Sequence, residues 1–115
     1  MTRISTLLLS AIGLSLAGCT GTPPAAVASA EAACTVTTAR VTAARGLTLD
    51  HVAMCDHIRE GGTPEGYYVL GLRAHCREAL CGSTLMGWFA VETATGAVFE
   101  WDVVEWRPGP EVDGR

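Results

Sequence analysis

The chain contains no lysine, and all eight of its basic side chains are arginine. Twelve acidic residues leave a net charge of −4, and loss of a leader carrying Arg3 would leave seven arginines and about −5. No stretch concentrates positive charge, so a grip on nucleic-acid phosphates is excluded and no nucleic-acid partner is expected. Aromatic residues are few, at 6% of the chain, and all three tryptophans and both phenylalanines fall within residues 84–106. C-x2-C and H-x3-H spacings are missing, and with them the usual protein frame for zinc. No pattern of a catalytic nucleophile with its base occurs either, so no enzyme activity and no cofactor are expected. Glu100 and Asp102 alternate on a strand pattern without a companion motif, which reads as solubility or edge protection rather than acid–base chemistry.

What is present begins with an address. Arg3 precedes an apolar run over residues 7–16 that is too short to span a bilayer as a mature helix, and it reads as a secretory signal peptide, residues 1–18. Leu16-Ala17-Gly18-Cys19 resembles the lipobox of bacterial lipoproteins. The resemblance implies cleavage before Cys19, diacylglyceryl attachment to its sulfur and further fatty acylation of the palmitate type. Several acyl chains together hold a domain on a membrane stably, whereas one is marginal. Residue 20 is Thr rather than Asp. In a cell with two membranes this points to the periplasmic face of the outer membrane. Residues 19–33, the lipidated cysteine and a small, weakly polar stretch with Pro23-Pro24, read as a flexible tether. A domain over residues 34–110 follows, then a disordered tail, 111–115.

Cys34, Cys55, Cys76 and Cys81 remain, an even number in an oxidising compartment, so two disulfides are expected. Three pairings are open. The pairing 76–81 with 34–55 is preferred, because the first closes the neck of a loop where two strand patterns meet and the second pins the N-terminal segment to the element carrying Cys55. Two clusters, Cys55-x-His57 and His75-Cys76-x4-Cys81, hold soft ligands, but neither has metal spacing, so no metal is assigned.

The expected fold is α+β: a disulfide-stapled, three-stranded antiparallel meander with one or two N-terminal helices on one face. Val36, Ala39, Ala43 and Ala44 suggest a helix ending at Gly46, while the threonines and valines of the same segment also allow a strand. Residues 47–60 read as a second helix, with Thr48 as N-cap, Asp50 in the first turn and Gly61-Gly62 as the stop. The strands are residues 67–75, 84–92 and 97–106. A tight turn at Thr93-Ala94-Thr95-Gly96 pairs Thr93 with Ala97, and so Val91 with Phe99 and Phe89 with Trp101. One face then carries Leu85, Phe89, Val91, Phe99, Trp101 and Val103. The other carries Tyr67, Arg73, Met86, Trp88, Val98, Glu100, Val104 and Trp106, less polar than a solvated face. Of these, Tyr67, Arg73, Met86, Trp88 and Trp106 form the candidate binding face. The segment 34–45 is its expected cover, if it has one.

Phe89, Val91, Thr95, Gly96 and Val98, preceded by helix and strand, are similar to the end of a PepSY-type module. That resemblance implies a non-catalytic envelope module that binds or inhibits another protein, often a peptidase. The sequence leaves the oligomeric state open.

Overall fold

The computed structural model describes residues 27–59 and 64–113. The signal peptide, Cys19, the tether up to residue 26, the Gly61-Gly62 stop and residues 114–115 lie outside the described residues. The order is one helix, α1 (Ala30–Arg45), a single 3-10 turn (Leu49–His51), and five strands: β1 (Val52–His57), β2 (Tyr67–Ala74), β3 (Leu85–Glu92), β4 (Val98–Asp102) and β5 (Arg107–Glu111). The strands form one antiparallel sheet in sequence order, β1-β2-β3-β4-β5. The expected three-stranded meander is therefore corrected to five strands and one helix.

Two segments account for the difference. The helix expected over residues 47–60 does not form over the described part, 47–59. Thr48 does cap a turn, but only the 3-10 turn, and its hydroxyl bonds the Asp50 carboxylate rather than a backbone amide. The chain then runs extended along β2, pairing Cys55 with Leu72 and His57 with Leu70. Pairing supplies partners to backbone groups that a helix would have satisfied internally. Residues 107–111, Arg-Pro-Gly-Pro-Glu, form β5, a strand beyond the three expected, and its last residue falls in the expected tail, 111–115. Proline removes a ladder donor, so such a strand survives only at an edge or a bulge. β5 has both: it is the last strand, and its register shifts opposite Phe99 and Trp101. The Val112 N–H donates to the Val98 carbonyl at 2.7 Å, so order extends past residue 110.

α1 starts earlier than the sequence suggested. Ser29 is its N-cap, accepting from the Ala32 N–H at 3.1 Å, and Glu31 lies in the first turn where a carboxylate offsets the helix dipole. Gly46 ends it at φ 68°, a left-handed C-cap that a side chain would strain. Val27, assigned to the tether, is buried, and its N–H donates to the Thr93 carbonyl at 2.7 Å. The buried stripe is Ala33, Thr37, Val41 and Thr42, not the expected Val36, Ala39, Ala43 and Ala44. Small residues at i, i+4 and i+8 let α1 approach the sheet closely.

α1 lies against Leu70, Leu72, Phe89, Val91 and Val98, all at most 1% exposed. Cys34 on α1 is bridged to Cys55 on β1, with Cα atoms 6.0 Å apart, which ties the helix to the sheet edge. Cys76 and Cys81, 5.8 Å apart, close the β2–β3 loop. Both bridges are the preferred pairing. Buried against the sheet, the Thr37 hydroxyl has no hydrogen-bond partner among the described residues.

Candidate functional site

The face of the sheet turned away from α1 holds a second cluster. Val69, Ala90 and Trp101 are buried, and Ile58, Tyr67, Trp88 and Trp106 pack around them half-exposed. This makes the face an aromatic surface held by β2, β3 and β4. Alternation places the members that lie in β2 and β3, Tyr67 and Val69 on one and Trp88 and Ala90 on the other.

All three tryptophans lie in this cluster, which corrects the expected division. Trp101 was assigned to the helix side. β3 and β4 pair Phe89 with Glu100, Ala90 with Phe99 and Val91 with Val98, one residue away from the expected register. The cause is the turn. Gly96 N–H donates to the Glu92 carbonyl and Glu92 N–H to the Ala97 carbonyl, so four residues are looped out where the expected pairing of Thr93 with Ala97 allowed three. With a period of two, a slip of one exchanges the faces of β4. Val98 thereby joins the helix side and Trp101 leaves it.

Met86 also changes sides. β2 pairs Leu72 with Gly87 and Arg73 with Leu85, so Met86 is the extra residue of a bulge and packs with the helix-side cluster. Its carbonyl accepts from the Arg45 guanidinium at 3.1 Å. A bulge re-aims side chains in this way, and Gly87 at φ 150° marks it.

The other candidates stay together. Trp88 lies across the strand pair on Gly71, its directly paired partner: a Cβ at residue 71 would sit 2.6 Å from the indole. Gly71 is the flat seat that lets the ring lie down on β2. Tyr67 meets the Phe99 ring edge-on at 6.3 Å. Arg73 pairs with Asp56 at 3.3 Å across β1 and β2, and both side chains are about two-fifths exposed (41% and 42%). Trp106 stands edge-on to Trp101 at 5.2 Å.

The β4–β5 turn sets that last contact. Oδ1 of Asp102 accepts from the N–H groups of Val104 and Glu105, each at 2.9 Å, and the Trp106 N–H donates to the Asp102 carbonyl at 2.8 Å. These backbone donors hold the Asp102 carboxyl below its ordinary pKa. Trp106 takes φ 58°, the only positive φ of a non-glycine residue among those described. Trp101 is 5% exposed, and its indole N–H finds no hydrogen-bond partner among the described residues. Sequence reasoning missed Trp101 and Phe99 as members of this face. The deciding feature is the four-residue loop over Thr93-Ala94-Thr95-Gly96, whose Thr-Gly signature a three-residue turn shares.

Outside this face the chemistry is sparse. An open recess of about 380 Å³ touches His51, His75, Arg77, Glu78 and Cys81. The Thr48 hydroxyl lowers the pKa of Asp50, with Arg77 and His75 adding to the effect. Burial lowers the pKa of His57, assisted by Arg59, and its ring stands edge-on to Tyr68 at 5.4 Å. Among the described residues no three His, Cys, Asp or Glu side chains gather closely enough to hold a metal. None of their helices is long and apolar enough to cross a membrane.

Comparison of the chain with protein-family models, with curated proteins and with solved structures gives no match in any of the three.

Proposed function

We propose that the protein is a lipid-anchored module of the bacterial cell envelope that acts without catalysis, by binding another protein through the aromatic face of its sheet. The observation that carries the reading is the unequal cover of the two faces. α1 seals one, while Tyr67, Trp88 and Trp106 stay half-exposed on the other around a buried Trp101. Tryptophan and tyrosine on a stiff strand framework lose little entropy on binding and concentrate binding energy. The lipobox-like Leu16-Ala17-Gly18-Cys19 supports the anchor, and the likeness to PepSY-type hairpins supports a binding or inhibitory role. The two disulfides agree with an exported domain.

Two measurements test the two halves. Fatty-acid labelling in the producing cell should modify the wild type and fail in Cys19→Ser; equal labelling of both removes the anchor. Trp88→Ala should reduce capture of a partner from envelope extract while the variant keeps a cooperative unfolding transition. Undiminished capture rejects the face. A concentration-dependent dimer that buries Trp88 and Trp106 would replace the partner by self-association, the alternative structural role.

A further inference from the structure

The two disulfides sit in unlike surroundings. Cys34 and Cys55 are half-buried and pack against the core beneath α1. The packing of α1 on the sheet keeps those two sulfurs adjacent even when their bond is cut, which favours closure. Cys76 and Cys81 are exposed, as is every residue from His75 to Ser83, and none of these residues belongs to a helix or strand. Once that bond is cut, nothing in the core holds its sulfurs together, and the loop gains freedom.

The hairpin does not need the second bond for its register. The Ala74 N–H donates to the Thr84 carbonyl at 2.8 Å, inside the bridge, and β2 and β3 are paired from Tyr67 to Arg73. The loop also holds a ready partner for the reduced form. The Glu78 carbonyl oxygen lies 3.3 Å from Sγ of Cys76 and 3.8 Å from Sγ of Cys81. A disulfide sulfur carries no proton, so neither contact is a hydrogen bond while the bridge is closed. After reduction each thiol is a weak donor, and the one carbonyl can accept from either. Stabilising the dithiol makes a disulfide easier to reduce, and exposed disulfides are the labile ones.

Access chooses the sulfur that is attacked. The open recess of about 380 Å³ beside the loop is lined by Cys81 and not by Cys76. An incoming thiolate therefore meets Cys81 first. The charged and titratable groups around it are mixed, His51, His75, Arg77 and Glu78, so access rather than charge sets the direction.

We propose that Cys76–Cys81 is a reversible thiol–disulfide exchange site whose co-reactant is the paired cysteines of a dithiol protein. One donor thiolate attacks Sγ of Cys81. The bond to Cys76 breaks, and Cys76 leaves as a thiolate that takes a proton from water. The second donor thiolate then attacks the donor's own sulfur in the mixed disulfide and expels Cys81, which is protonated in turn. Two electrons and two protons pass to this chain, the donor closes its own disulfide, and residues 77–80 are released at the rim of the recess. Nothing in this chemistry depends on the aromatic face.

The test equilibrates the full exported protein with graded mixtures of reduced and oxidised glutathione at about pH 7. Acid quenching, alkylation with N-ethylmaleimide and peptide mass spectrometry then read each cysteine. Cys76–Cys81 should open at a ratio of reduced glutathione squared to oxidised glutathione roughly tenfold or more below that needed for Cys34–Cys55. The selectively opened protein should keep its cooperative unfolding transition. After brief exposure glutathione should sit on Cys81 and maleimide on Cys76. A thioredoxin whose second active-site cysteine is replaced by serine should be trapped on Cys81 as a mixed disulfide. Equal resistance of the two bridges, or earlier opening of Cys34–Cys55, overturns the site. Loss of the cooperative transition on selective opening also overturns it, because the bridge is then a structural staple. Glutathione found mainly on Cys76 overturns the direction of attack, and failure to trap the thioredoxin variant overturns the dithiol protein as co-reactant.

Discussion

The two faces of this sheet are made by the same alternation of side chains, yet they are finished differently. The helix side is closed by another element: α1 brings Ala33, Thr37 and Val41 onto Leu70, Leu72 and Phe89, and a disulfide locks it to β1. The other side closes on itself. Val69, Ala90 and Trp101 are shielded by neighbouring rings, and those rings stay partly in water. A small domain can seal one face fully with a single helix, and what remains apolar on the second must be small, aromatic or used. Stability therefore belongs mainly to the first face, and the proposed recognition to the second.

Breaking the helix side should have the largest effect. Leu70→Ala removes a fully buried side chain beneath α1 and should cost about 2–5 kcal/mol, read as a lower urea midpoint. An equal loss from Tyr67→Ala on the aromatic face would erase the comparison. The disulfides sharpen it next. Replacing Cys34 and Cys55 by serine frees a link of 21 residues that joins helix to sheet, and should cost about 3 kcal/mol. The same change at Cys76 and Cys81, separated by 5 residues in an exposed loop, should cost about 2 kcal/mol. Thermal unfolding of the two double variants checks the order.

Gly71→Ala probes the aromatic face from beneath. Its Cβ would press on the Trp88 ring, so the variant should lose about 1–3 kcal/mol and show altered tryptophan emission. Unchanged emission would mean that Trp88 does not lie on β2.

The smallest effect is in pH. Burial holds the His57 pKa below the ordinary 6.5, so the folded protein takes up a proton later than the unfolded chain as pH falls. Its contribution is complete above about pH 6.5 and is lost as pH falls through the lowered folded value. Wild type should unfold at lower urea at about pH 5.5 than at about pH 7.5, and His57→Gln should narrow that gap. The depressed Asp102 carboxyl acts in the same direction but in a lower window, below about pH 4.

Local chemistry made much of this legible. Both disulfides, β2, β3 and the Gly46 helix stop follow from composition and spacing. So does an aromatic second face with Trp88, Tyr67 and Trp106 upon it. Three features resisted for physical reasons. β1 follows a capping signal at Thr48 that serves one 3-10 turn, and the extended path after it is set by pairing with β2. β5 does not read as a strand because prolines weaken a strand except at an edge, and edge position is a property of the whole sheet. Trp101 was misplaced because three- and four-residue turns share the same Thr-Gly signature, and one residue decides which face every β4 side chain meets.

Neighbouring residues of β3 do different work because they point to opposite faces. Urea unfolding of Phe89→Ala and Trp88→Ala, side by side, tests it most directly. Phe89→Ala should lose about 3–5 kcal/mol, enough to unfold a marginal domain, while Trp88→Ala keeps a cooperative transition with a clearly smaller loss. Equal losses would show that the aromatic face carries the fold as much as the helix side does.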